Sequence, residues 1–570
     1  MSRRRCTIVG GGPAGLSLAL ELAKLDYDIE VYQEPHPAGV GIVLDEDAIA
    51  LLGRVDSECA GQALGACQSW DAVQLRIADE RIVSGGHHIR GVARDTLVAA
   101  LGRRAAAMGA RLLAQRWDAH VPGGRRDLLV GADGVGSTVR QASAGEFGAV
   151  VAASKTRFLW LQAEGLLDAG FSFVATADGA YVAHVYPYSE RCSAIVVESR
   201  PECLASAGLL HADRSTVERS LSGIFRDHLR IGGLRAVTFP WQPFRTVRNR
   251  RWHAGNRVLI GDAAHTAHFS VGSGTKLAIE DAVALATQLG RCADLETAVR
   301  RYEAVRRPEV ARVQADARSS EIWFADLDRH VRLPPYQLAF ALRTRREVNG
   351  YGWLRQRDPR FVARLHTTLR ADSRFPAHPP DAVGQHVPEP RLLPLKLGRL
   401  VIPHRAAVVA GGGNPPRHGD AGLVLRPVPA RPAHHAAAAA VPAALIVPAP
   451  CAASELPGGE LPCLLTGRWP EVRDALITLR RHAGNRIVGA LVDPESFDDA
   501  QAPLLTEMAD FVAVPPAPKG QRVERTLLAE RLRNELGLTV LLWTRAIDTD
   551  EANTLIAAGR TDGYVISEEG

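Results

Sequence analysis

Lysine is scarce in this chain of 570 residues: there are five lysines among 68 basic residues, against 63 acidic ones, for a net charge of +5. The positive charge sits on scattered arginines with no basic tail or stripe. That excludes nucleic acid as the expected partner and leaves a mild preference for an anionic ligand. Cys-x-x-Cys pairs are absent, and the eight cysteines form no His/Cys cluster of zinc spacing, so no metal is expected. Cys6 reads as a small buried hydrophobe. No apolar run is long enough for a bilayer. Met1–Arg5 leads straight into a strand, and the apolar stretch after it is broken by Gly, Pro, Glu21 and Lys24. Neither signal peptide nor membrane span is expected, and the setting reads as a reducing cytoplasm.

What is present is a set of three glycine-bearing stretches. The first, Cys6-Thr-Ile-Val-Gly-Gly-Gly-Pro-Ala-Gly-Leu16, places Gly10, Gly12 and Gly15 between an apolar strand and a helix, where backbone N–H groups suit a pyrophosphate. A second strand, Asp28–Glu34, ends with Gln33 and Glu34 where an acidic side chain normally holds ribose hydroxyls. The Gln33 amide oxygen still accepts such a bond and does not repel a 2′-phosphate. The second stretch is Asp127-Leu-Leu-Val-Gly-Ala-Asp-Gly-Val-Gly-Ser-Thr-Val-Arg140. The third, Arg257-Val-Leu-Ile-Gly-Asp-Ala-Ala-His265, ends a buried strand at Asp262, positioned to accept bonds from sugar or ribityl hydroxyls. Gly272 and Gly274 then open a helix whose N–H groups suit the pyrimidine edge of a flavin, with Lys276 adding to that field.

Residues 1 to about 370 resemble the single-component FAD-dependent aromatic hydroxylases, the para-hydroxybenzoate hydroxylase family. The carriers are Gly10/Gly12/Gly15, Asp133-Gly134 and Gly261-Asp262. Trp241–Arg248 and Ala267–Asp281 resemble the branch of salicylyl-CoA 5-hydroxylase and 2-aminobenzoyl-CoA monooxygenase/reductase, in which His268-Phe-Ser replaces a proline-rich turn. The resemblance implies FAD contacts from Gly10, Gly12, Ala14, Gly15, Gln33, Glu34, Arg94, Asp133, Asp262, Gly272, Gly274 and Thr275, with His268 as the catalytic candidate. It implies NAD(P)H as reductant, O₂ added to the reduced flavin as a C4a-hydroperoxide, and attack by an ortho-hydroxy or ortho-amino aryl ring, expected as a CoA thioester. His265 reads as a packing or capping residue, and Tyr186, Tyr188 and Trp241 as core or pocket wall. Arg245 and Arg248 suit either a CoA phosphate or solvent. Two alternatives stay open: hydroxylation or epoxidation of an aromatic antibiotic precursor, and FAD-dependent reduction without oxygen insertion. The Trp-x-Trp-x-Ile-Pro stretch of tryptophan halogenases is absent.

The expected fold is α/β: a Rossmann-like FAD-binding domain carrying an inserted antiparallel substrate sheet at about 151–250, then a linker over 371–394, then a truncated TIM-barrel-like domain over 395–570. Strands are expected at Thr156–Gln162, Phe171–Ala175, Ala180–Tyr186 and Cys192–Val197. The tail alternates strands and helices and resembles the old yellow enzyme type of FMN barrel. About 176 residues is short for such a barrel, which usually needs at least about 200. Trp543–Asp550 stands where a glycine-rich phosphate turn belongs, Ser567-Glu-Glu-Gly570 replaces an arginine, and the run His434–Ala440 has no counterpart in that family. FMN is therefore not expected, and the tail reads as a scaffold, with a homodimer as one way to cover its surface.

Overall fold

The computed structural model describes residues 3–34, 40–118, 127–346 and 349–371, and then 390, 395–397, 400–402, 405–409, 423–427, 443–448, 463–466, 471–482, 487–493, 497–515, 522–544 and 547–567. The expected linker, except for residues 371 and 390, lies outside the described residues, as do the alanine-rich run and the last three residues. Two compact units divide between Val331 and Arg332. No described helix is long and apolar enough to cross a membrane.

In the first unit, strand Arg5–Val9 pairs in parallel with Asp28–Tyr32 on one side and Leu128–Gly131 on the other. Arg257–Leu259 extends the sheet in parallel, the short strand His253–Ala254 closes one edge as a hairpin, and Arg111–Leu113 forms the other edge. Cys6 to Val9 are all buried, the continuous apolar run expected of a parallel strand covered on both faces. Helices Pro13–Ala23, Arg94–Ala107 and Gly274–Arg291 supply Leu16, Leu18, Leu97, Ile279 and Leu285 to the same core.

A second sheet of seven strands stands beside this one, in the order Arg235–Ala236, Arg157–Glu164, Cys192–Ser199, Gly179–Pro187, Gly170–Thr176, Val73–Ile77 and Glu80–Ser84. Two expectations need correction. The sheet begins before residue 151, and it is not wholly antiparallel, because Gly170–Thr176 pairs in parallel with Val73–Ile77. That pairing joins segments far apart in sequence, where no turn signal marks it. Alternation along the strands sorts the residues by face. Leu159, Leu161, Tyr181, Ala183, Ile195 and Val197 pack on Val217, Leu221 and Phe225 of helix Arg214–Leu229. The other face carries Phe158, Trp160, Phe171, His184 and Glu198, with Phe158 opposite Glu198 and Phe171 opposite His184. The chain enters and leaves this insert through a two-stranded ribbon, Ala149–Ala153 with Arg245–Asn249.

The second unit starts earlier than residue 395. Helices Pro335–Arg343, Tyr351–Arg357 and Pro359–Ala371 belong to it, in place of the expected boundary near 370. The physical reason lies in their bonds to helix Thr549–Ala557: the Tyr351 N–H donates to Thr554 Oγ1 at 2.7 Å, and Gln337 donates to the Ala557 carbonyl at 3.2 Å. Eight parallel strands, from Ala406–Val409 to Gly563–Ser567, close into a ring. Two of them, Ala443–Pro448 and Cys463–Thr466, and the helix Ala502–Met508 were not anticipated. Phe511 and Ala513 fill the interior while Val512 and Val514 face the surrounding helices. The interior is packed: a Cβ on Gly489 would lie 2.4 Å from the Phe511 ring. Arg533 Nε donates to Asp562 Oδ1 at 2.9 Å, and the Val540 N–H donates to the other oxygen at 3.0 Å.

Candidate active site

The turn after the first strand is shaped by close backbone approach. Gly10 sits at φ +115°, and a Cβ there would meet the Ala132 carbonyl oxygen at 2.2 Å; a Cβ on Gly15 would meet the Gly10 carbonyl oxygen at 2.0 Å. Only glycine satisfies both the dihedral and the contact. Gly12, by contrast, faces open space, with the Arg94 guanidinium 3.6 Å from its would-be Cβ. Gly12 is also the N-cap of helix Pro13–Ala23, which has no side-chain cap and no acid in its first turn. The leading N–H groups of this helix therefore point at a cradle suited to a pyrophosphate, beside a guanidinium.

The other two stretches are clamped around this turn. Asp133 Oδ2 accepts from the Thr138 N–H at 2.6 Å and hydroxyl at 2.7 Å, while Oδ1 is buried without a hydrogen-bond partner. Arg140 donates to the Ala263 carbonyl at 2.9 Å, tying the second stretch to the third. Gly261, at φ +58°, packs its Cα against Ala14, whose Cβ would lie 3.0 Å from a Cβ at Gly261. That contact explains the small residue at position 14. Beneath the turn, Asp281 accepts from the Gly261 N–H at 2.9 Å, pairs with His265 Nε2 at 2.7 Å and takes Arg306 Nε at 2.8 Å. Burial alone would raise the Asp281 carboxyl, but His265 and Arg306 hold it below its ordinary range. His265 is thus a packing residue, as expected.

Other candidates divide. Asp262 has an exposed side chain near Arg94 and His265, beside the cradle. Gln33 lies against the glycine turn, its Oε1 2.2 Å from a Cβ built on Gly11, whereas Glu34 is exposed and pairs with Arg116 at 3.5 Å. Gly272 turns at φ +66°, and Gly274 and Thr275 open helix Gly274–Arg291 with no side-chain cap and no acid in the first turn. Lys276 does not face that cleft as a free cation: its Nζ lies 2.8 Å from Asp47 and 3.5 Å from Asp45. The sequence offered no local sign of this pair, since the acids lie more than two hundred residues away.

His268 lies where the loop meets the open face of the seven-stranded sheet. It is 2% exposed. The Phe269 ring follows it and packs on Phe158 at 5.0 Å, Trp160 at 6.3 Å and His184 at 5.3 Å. His268 Nε2 stands 3.7 Å from Glu198, whose other oxygen lies 3.5 Å from His184 and whose first accepts from Thr156 Oγ1 at 2.6 Å. Burial pushes the Glu198 carboxyl up, yet His268, His184 and Thr156 together hold it below its ordinary range. Glu198 and His184 were missed in the sequence. The available signal was an acid at an inward-facing position of the otherwise apolar strand Cys192–Ser199. Among the described residues no group of His, Cys, Asp and Glu forms a metal site.

A family model described as an FAD binding domain matches residues 92–317. Salicyloyl-CoA 5-hydroxylase of Streptomyces sp is 34% identical over 400 residues, covering 66% of this chain and 76% of that protein. The 3-hydroxy-4-methyl-anthranilyl-[aryl-carrier protein] 5-monooxygenase of Streptosporangium sibiricum is 34% identical over 331 residues, covering 57% and 90%. Among solved structures, 2-methyl-3-hydroxypyridine-5-carboxylic acid oxygenase aligns at 20% identity and a TM-score of 0.48, covering 56% of this chain and 90% of the other.

Proposed function

Because the chain belongs to the FAD-dependent aromatic monooxygenases, we propose that it hydroxylates a ring bearing an ortho-hydroxy or ortho-amino group, presented as a thioester on a phosphopantetheine arm. The observation that carries this reading is the pairing of two features: an uncapped, glycine-lined helix N-terminus, and, in the same unit, an aromatic sheet face holding Glu198, His184 and His268. The two relatives named above act on rings of this kind, one on coenzyme A and one on a carrier protein. The arginines of the ribbon and its end support a phosphate-bearing tail. Arg245, Arg248, Arg250 and Arg251 are all exposed, and none has an acid within ion-pair distance among the described residues. Arg248 borders the narrow cavity that also touches His268.

FAD, when bound, supplies electron transfer from NAD(P)H and activation of oxygen. The residues of this chain do the rest. Gly10, Gly12, Ala14 and Gly15 with the Pro13 helix would hold the pyrophosphate, assisted by Arg94. Gln33 would take a ribose hydroxyl, Asp133 Oδ1 and Asp262 would accept from the cofactor's hydroxyls, and the N-terminus at Gly272, Gly274 and Thr275 would face the pyrimidine edge. Glu34 lies outside this arrangement in its pair with Arg116. His268 and Phe269 would bound the ring and exclude water from it.

The barrel is assigned a scaffold role. Helix Thr549–Ala557, where a phosphate would be expected, is capped by Asp548, which accepts from the Glu551 N–H at 2.7 Å, and its first turn carries Asp550 and Glu551. An acidic, self-satisfied N-terminus disfavours a phosphate. The experiment for the substrate is NAD(P)H oxidation with ortho-hydroxy and ortho-amino aryl-CoA thioesters against the free acids under ¹⁸O₂. Thioesters are expected to stimulate flavin reduction and to gain one labelled oxygen on the ring. Label arriving only from water, or no response to any thioester, would contradict the reading.

A further inference from the structure

Three side chains from separate elements converge on Glu198, which is 1% exposed: Thr156, just before one strand, donates a hydrogen bond, while His184 from another strand and His268 from the loop after the Gly-Asp stretch stand at ion-pair distance. The arrangement fixes a tautomer. The Ser270 N–H donates to His268 Nδ1 at 3.4 Å, so that nitrogen carries no proton and the Nε2–H faces the carboxylate at 3.7 Å. On the far side, His268 Nδ1 lies 2.8 Å from the Ser270 hydroxyl, and that hydroxyl lies 2.8 Å from Ser320 Oγ. A hydroxyl, an imidazole and a carboxylate thus stand in series. Packing alone does not call for this order, since two hydrophobes would fill the space without the cost of burying a charge.

We propose that Glu198 is a positioning residue for proton transfer in ring hydroxylation: through His268 it holds the proton that the ring's ortho substituent gives up by way of the Ser270 hydroxyl. This rests on the substrate class proposed above. As the new ring C–O bond forms, the O–O bond of the peroxide-level oxygen donor breaks and its electron pair stays on the donor's remaining oxygen, which takes up a proton; positive charge develops on the ring and its ortho O–H or N–H becomes acidic. Ser270 Oγ takes that proton while passing its own to His268 Nδ1. The electron pair of the broken bond stays on the substituent and neutralises the ring. His268 is then an imidazolium, and the Glu198 carboxylate stabilises it where water does not reach. The proton returns to solvent through the same hydroxyl when the product leaves. Among the described residues, Glu321 on helix Leu295–Ala325 acts on Glu198 and is balanced by Arg318 and by Arg248 of the ribbon. His184, caged by Phe171 at 4.9 Å and Phe324 at 4.8 Å, keeps the second carboxylate oxygen in place.

The test uses FAD-loaded enzyme and an ortho-hydroxy aryl-CoA, reading product formed per NAD(P)H consumed across pH for the unaltered protein, Glu198→Gln, Glu198→Asp and Ser270→Ala. Glu198→Gln is expected to lower that ratio by about tenfold or more. Its acid limb is expected to move to lower pH, because removing a carboxylate makes an adjacent imidazolium less stable. Glu198→Asp should return the limb part of the way, and Ser270→Ala should lower the ratio on its own. A limb that stays in place in Glu198→Gln while only flavin loading or Tm falls would make Glu198 a packing residue and overturn the proposal. If that variant does not fold, a Ser270→Ala ratio equal to that of the unaltered protein overturns it instead. Failure of the substrate reading looks different: the unaltered enzyme itself would then oxygenate neither ring type, and this proposal would fall with it.

Discussion

Two helices in this molecule follow parallel strands in the same way and end in opposite chemistry. Helix Pro13–Ala23 begins at Gly12 with no side-chain cap and no acid in its first turn, beside Arg94. Helix Thr549–Ala557 begins at Asp548, whose side chain accepts from the Glu551 N–H, and carries Asp550 and Glu551 in the first turn. Both units contain a parallel sheet with helices packed against it. The difference lies in what is left unsatisfied: an orphan N–H group is a binding site only where the chain declines to cap it. At Pro13 the shortfall is offered to an anion, and at Thr549 the Asp548 side chain meets part of it.

The sharpest way to break the comparison is to remove the support beneath the open site. Asp281→Ala leaves His265 buried without its carboxylate and Arg306 with Glu280 and Glu309 alone, which is expected to cost about 3 kcal/mol. Thermal unfolding should show the loss, together with loss of bound flavin. The same group sets a pH dependence. Its folded carboxyl is held below the ordinary value, so its contribution is full above about pH 4 and is lost as pH falls through the depressed folded value. Asp281→Asn should flatten that acid limb, and a limb identical to the unaltered protein's would disprove the role. A smaller effect is expected at the cleft itself. Asp262→Ala should weaken FAD by about 1.5–3 kcal/mol, the worth of a charge-assisted hydrogen bond, with Tm of the flavin-free protein unchanged. Titration of flavin fluorescence would measure it. The smallest effect belongs to the other helix: Asp548→Ala should cost about 1 kcal/mol as a lost N-cap and leave flavin content untouched. A loss of FAD in that variant would erase the distinction between the two ends.

Legibility followed the range of the forces involved. The glycine turn, the Asp133-Gly134 stretch and the helix at Gly274 are local, decided within a few residues, and the sequence displayed them. So was the packing role of His265, which the turn geometry foreshadows. Partners distant in sequence were not legible. Nothing near Lys276 announces Asp47, nothing near Val73 announces Gly170, and nothing in Pro335–Arg343 announces its bond to Ala557. The Glu198 cluster needs three strands and a loop to assemble, so each member reads as an ordinary residue of its own segment. The barrel was expected from the alternation of strands and helices, while no local sign pairs its first strand with its last.

Denaturing the purified chain and separating the released flavins tests the account most directly. One equivalent of FAD per chain with no FMN is the expected result, because helix Pro13–Ala23 leaves its N-terminus open beside Arg94 whereas helix Thr549–Ala557 is capped by Asp548 and carries acids in its first turn. One equivalent of FMN alongside FAD would contradict it.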